Sequence, residues 1–184
     1  MRWVPLAILA YAILLAQTTL AELIRIELPG LGAMRPDLLA MLALFVTLHA
    51  RSGTDAAIAA WALGFAADLT VGGATGGGSV VGVMALSYAV ASGLVYRSRE
   101  AFFGDRPATQ VLLGLWFVGV AHGLWVTLQC LLAYPAVGWG QYAGLLAQAV
   151  GVVGYTALLT PVGLWLLNKT ERFLISSSLG RSKR

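Results

Sequence analysis

The chain has 184 residues, of which 59% are hydrophobic and only 11% charged, with a formal net charge of +4 and a mean hydropathy of +0.81. A soluble domain carries about a quarter charged residues, so this composition excludes an ordinary water-soluble domain and predicts an all-α membrane protein. A spanning helix takes about 20 residues, which limits the chain to about six or seven crossings and leaves no length for a soluble domain; the positive charge, scattered at helix ends, is no nucleic-acid footprint.

The first apolar run covers Trp3 to Ala21, with Arg2 before it and Trp3 where an interfacial aromatic belongs. It is longer than the apolar stretch of about 7–15 residues in a signal peptide, so it reads as a retained span. Glu22 and Arg25 are spaced to pair on one helix face, and Pro29-Gly30 stop the helix, so a helical surface extension is predicted here. The second span opens at Pro36-Asp37. Proline suits a helix start, and Asp37 suits the positive end of the helix dipole. At about 15 residues, Pro36 to Ala50 is short for a crossing, which predicts a helix shielded by its neighbours. Ser52-Gly53-Thr54-Asp55 reads as a capped turn.

The third span, Ala56 to Thr70, carries Asp68 and runs into a glycine-rich turn that includes Gly72 and Gly76. The fourth, Ser79 to Tyr96, has small residues at Gly82, Ala85, Ala89 and Gly93, spaced for close packing in lipid. A charged loop over 97–107 separates it from the fifth span, Thr109 to Tyr134. His122 and Gln129 interrupt that span seven residues apart, on a similar face. The sixth, Tyr142 to Leu167, contains Pro161, a predicted kink. The domain plan is therefore one six-span unit over 1–168 and a basic tail over 169–184.

Six spans put both termini on one side. The segments on that side hold ten of the 12 lysines and arginines, and the other side holds only Arg25 and Arg35. By the positive-inside rule both termini are predicted to be cytoplasmic, with the glycine-rich turn facing outward.

Candidates for chemistry are few. Cys130 is a lone thiol in an apolar run, no Gly-x-Ser-x-Gly or His-Glu-x-x-His occurs, and no cysteine pair could hold a metal. No catalytic residue, metal or cofactor is predicted. His49 sits at a helix end beside Arg51, and His122 lies inside a span in a packed or hydrogen-bonded setting. Asp68 is costly at membrane depth. Either it accepts the free N–H groups of the glycine turn, or it serves a docking partner or a solute pathway.

Two motifs resemble those of the rod shape-determining protein MreD family. One is Pro36-Asp37-Leu38-Leu39 opening the second span. The other is Gly64-Phe65 with Asp68-Leu69, Gly72 and Gly76, similar to the family signature Gly-x-x-x-Asp-Leu-x-Ser-Gly-x-x-x-Gly, with Val71 in place of the serine and Ala74-Thr75 where Pro-Leu is frequent. The resemblance implies a six-transmembrane-helix bundle like the S-component fold of energy-coupling-factor transporters, in the bacterial inner membrane. It implies a non-enzymatic subunit of the elongation machinery that regulates cell shape and lateral peptidoglycan synthesis. The implied partners are an MreC-like periplasmic coiled-coil protein, an MreB-like filament, a RodA-type polymerase with its transpeptidase, and membrane lipid. Gly82 and Gly93, with the polar stripe at His122, are the candidate docking positions. The alternative is a vitamin-binding S-component, which shares the six-helix plan; Ala12 and Ala16 fit its Ala-x-x-x-Ala docking face.

Overall fold

The computed structural model describes residues 3–28, 32–72, 80–99, 107–132 and 138–175. The order is α1 (Trp3–Leu23), β1 (Ile26–Leu28), β2 (Gly32–Met34), α2 (Leu38–His49), α3 (Gly53–Gly72), α4 (Val83–Ser98), α5 (Pro107–Leu132) and α6 (Trp139–Ile175). α1, α5 and the Trp139–Lys169 part of α6 are long and apolar enough to cross a membrane. At about 1.5 Å per residue, α2 is only about 18 Å long and α4 about 24 Å.

The helices are antiparallel neighbours in sequence order, and α2 is the axis of the bundle. It packs on α1, α3, α4, α5 and α6, and every residue from Leu39 to Thr47 is buried. A short helix this apolar is sheltered by its neighbours, as its length predicts. Around it the core is filled by Leu63, Tyr88, Val95, Leu113 and Phe117, with the Tyr88 and Phe117 rings edge to face at 5.8 Å. The outer faces of α3 and α4 present Ile58, Trp61, Phe65, Leu69, Leu86, Val90 and Leu94.

Five expectations are corrected. The stretch after α1 is not a helical extension: Ile26–Leu28 pairs antiparallel with Gly32–Met34, Ile26 opposite Met34, so the fold is not purely α. Arg25 still binds Glu22 at 2.7 Å, but from a turn, and it also reaches Glu27. Pro36 lies outside its helix, two residues before Leu38, with Asp37 as N-cap in extended conformation. α3 begins at Gly53, with the Ser52 Oγ taking the Thr54 N–H at 3.2 Å. α4 begins at Val83 rather than Ser79. The first part of the basic tail continues α6 as helix to Ile175, and Pro161 lies inside that helix, where its ring removes the N–H that would bond the Ala157 carbonyl.

Polar clamps mark both ends of the bundle. At the hairpin end, Gln129 on α5 exchanges two hydrogen bonds with the Val80 backbone, at 3.0 and 3.1 Å. There too Gln148 on α6 donates to the Ala33 carbonyl at 2.9 Å. At the opposite end the Arg99 guanidinium donates to the Ala50 carbonyl at 2.8 Å and lies over the Tyr96 ring, tying the end of α4 to the end of α2.

Candidate functional site

Two carboxylates sit inside the bundle, and each holds the first turn of a short helix. The first four N–H groups of a helix have no partner within it. In lipid or in a protein core such groups must be satisfied by something else.

Asp37 caps its own helix. Its Oδ1 accepts the Ala40 N–H at 3.0 Å, as an N-cap aspartate does. Its Oδ2 accepts the Tyr88 hydroxyl from α4 and the His122 Nε2 from α5, at 3.0 Å. Because Oδ2 is an acceptor, this geometry assigns the proton to Nε2 of the imidazole. The backbone around Asp37 is tied down from two further helices. The Asp37 N–H donates to Thr156 Oγ1 on α6 at 3.0 Å. Gln17 on α1 takes the Leu38 N–H at 2.7 Å and donates to the Pro36 carbonyl at 3.3 Å. Five helices thus converge on residues 36–40. Asp37, Tyr88, His122 and Thr156 are all buried.

The depth of this cluster follows from the two clamps. His122 lies seven residues before Gln129 on α5, about 10 Å further in, and Thr156 lies eight residues after Gln148 on α6, about 12 Å further in. The chain therefore enters from the hairpin through the non-helical residues 35–37, with Asp37 extended, and starts α2 well inside the bundle.

Asp68 caps a helix that is not its own. Its Oδ2 accepts the N–H groups of Gly82, Met84 and Ala85 at 2.9, 3.0 and 3.2 Å. The sequence reading gave Asp68 a bracing role at the glycine-rich turn. Among the described residues, the donors it meets are those at the start of α4; residues 73–79, and with them Gly76 and most of the turn, lie outside the described residues. Gly82 is the N-cap of α4 with φ +99°, a backbone state that side chains disfavour.

At Gly64, one turn before Asp68, the backbones of α3 and α4 approach closely. A Cβ there would stand 2.7 Å from the Met84 carbonyl oxygen and 2.8 Å from the Ala85 Cα. Gly72 closes α3. The small residues of α4 do not form one free stripe. Ala85 is spent on the α3 contact, whereas a Cβ on Gly93 would meet nothing within 4 Å. His122 and Gln129 both form hydrogen bonds inside the fold.

Sequence reasoning missed Tyr88, Gln17 and Thr156. Each is a hydrogen-bonding side chain in an apolar stretch, which is the signal that would have found it; their convergence on residues 36–38 spans 139 positions of the chain, from 17 to 156. Among the described residues, no buried side-chain nitrogen or oxygen lacks a partner. In comparison with known proteins, the chain matches no family model, no curated protein and no solved structure.

Proposed function

We propose that this chain is a non-enzymatic membrane subunit of the bacterial elongation machinery, similar to the MreD family, and that it acts on cell shape through helix contacts with partner membrane proteins. The observation that supports this reading is the use made of the two motif carboxylates. Asp37 and Asp68 hold α2 and α4 in place, so the polar groups inside the bundle serve its architecture. What remains on the outside is apolar helix surface suited to lipid and to other helices.

On this reading all six helices cross the inner membrane. α2 does so with the help of the segment that feeds it, and both termini lie in the cytoplasm, a placement that the ten-to-two distribution of basic residues supports. Partners would be an MreC-like coiled-coil protein, an MreB-like filament and a RodA-type polymerase with its transpeptidase.

Depletion followed by microscopy tests the assignment. Loss of rod shape, restored by the intact chain, is the expected result. Unchanged shape with loss of vitamin uptake would replace this reading with that of a transporter S-component. A reporter fused after Arg184 tests the topology: activity on the outer side of the membrane would remove the six-crossing arrangement.

A further inference from the structure

The two ends of the bundle treat their cations differently. At the hairpin end both arginines are engaged by carboxylates: Arg25 bonds Glu22 and Glu27, and Arg35 reaches Glu22. The opposite end holds Arg51, Arg97, Arg99 and Lys169. Lys169 belongs there because Gly163, six residues earlier, lies against Met41 of α2, and α2 runs on from Met41 to His49. The Arg99 guanidinium is turned to the Ala50 carbonyl. Arg51, Arg97 and Lys169 are exposed, and among the described residues none of the three pairs with a carboxylate. Asp55, in the first turn of α3, is the one carboxylate at this end whose side chain is described.

Arg51 and Arg97 are brought to one corner. The Tyr96 hydroxyl donates to the Arg51 carbonyl at 3.2 Å, and the Tyr96 ring packs on Gly53, where a Cβ would stand 3.1 Å from it. The residues leading into α3 are thereby held against the last turn of α4. Two guanidiniums at one corner suit a phosphate group, whose oxygens accept N–H bonds from the planar fork.

Beyond this corner the outer faces of both helices are apolar. On α4, Arg97 heads the exposed row Leu94, Val90 and Leu86, spaced three and four residues apart on one helix face. On α3 the exposed row is Ile58, Trp61, Phe65 and Leu69, with the Trp61 and Phe65 rings stacked at 5.8 Å. Arg97 to Leu86, and Ile58 to Leu69, each cover about 16 Å of helix. That is close to half of a hydrocarbon core about 30 Å thick, the depth of one leaflet. A cationic head over an apolar track one leaflet long is the counterpart of a phospholipid with net negative charge.

We propose that the outer face of α3 and α4 is a binding site for an anionic phospholipid, with the phosphate at Arg51 and Arg97 and the acyl chains along the two apolar rows. A zwitterionic lipid fits the same rows but brings a cationic group toward the guanidiniums, so the site prefers a headgroup such as that of phosphatidylglycerol. The site rests on the membrane placement proposed above and not on the elongation role. With both termini in the cytoplasm, it lies in the inner leaflet.

Native mass spectrometry of the full-length protein, released from detergent after exposure to equal amounts of phosphatidylglycerol and phosphatidylcholine, reads the preference directly. The expected result is retention of phosphatidylglycerol over phosphatidylcholine, with the preference falling about tenfold in Arg51→Gln/Arg97→Gln. Arg25→Gln, at the hairpin end, should leave it unchanged. Equal retention of the two lipids, or a preference that survives the double variant, overturns the proposal. Excess inorganic phosphate should not displace the lipid; displacement would make this a site for a free anion and overturn the lipid assignment. A dimer that retains no lipid would give the face to a second copy of the chain and also overturn it. Should the double variant fail to fold, Arg51→Gln and Arg97→Gln decide singly, each with a severalfold loss expected. Binding in detergent is read whichever way the chain faces, so its outcome is separate from that of the reporter after Arg184.

Discussion

Asp37 and Asp68 do the same job by different means. Both satisfy the open first turn of a helix that starts within the bundle. Asp37 does so locally, three residues from the N–H it caps, and spends its second oxygen on side chains from α4 and α5. Asp68 does so at a distance, bonding, among the described residues, backbone N–H groups 14 to 17 residues along the chain. The first is a hub on which five helices depend; the second is a single seam between α3 and α4. A cap made of side chains from many elements couples them, whereas a cap made of backbone N–H groups fixes one helix against one neighbour.

The difference can be broken experimentally, beginning at the hub. Asp37→Ala leaves the Tyr88 hydroxyl, the His122 imidazole and the Ala40 N–H without their acceptor, and should cost about 3–5 kcal/mol, the scale for breaking a buried polar pair. Unfolding in detergent measures it, and a cost near that of a simple cap would show that the side-chain hub carries little. Asp68→Ala strands the three N–H groups of α4 and should cost about 2–3 kcal/mol by the penalty for unsatisfied buried donors.

Gly64→Ala forces a methyl group against the α4 backbone at 2.7–2.8 Å and should cost about 1–2 kcal/mol through overpacking. Since Gly64 and Asp68 act on one seam, their double variant should be non-additive by about 0.5 kcal/mol or more, whereas an additive result would make them independent contacts. The smallest effect on stability belongs to Gly93→Leu. Its Cβ meets open space, so unfolding should shift by no more than about 0.5 kcal/mol. A loss of co-purified partner with this variant would then report an outer contact, and full recovery would remove Gly93 from the docking face. Gly82→Leu is the poorer probe, since its positive φ mixes backbone strain with any loss of contact.

The helices were legible because each is an apolar run bounded by charge, proline or glycine; most of their ends in the structure differ by a few residues, and α6 runs eight residues past Leu167 to Ile175. The hairpin was not, because three-residue strands give too short a pattern and the Glu22–Arg25 spacing fits a helix equally well. Asp68 was legible as a brace from its isolation among apolar residues. Its donors were not, since nothing local says that α4 begins at Val83 or that Gly64 lets α4 approach. The stripe at Gly82, Ala85, Ala89 and Gly93 was legible as a place for close packing, but not its neighbours: small size shows where a close contact is possible and is silent on which neighbour fills it.

Composition and periodicity by themselves determined a helical, lipid-compatible chain, the rough extent of each helix, and the two carboxylates and one imidazole that had to find partners away from water. The tertiary structure alone decided who those partners are. Pairing a buried polar group is compulsory wherever it lies, so the need is written locally in the residue type, while Tyr88, His122 and Thr156 reach Asp37, and Gln17 its neighbours Pro36 and Leu38, only because five helices pack around one short axis.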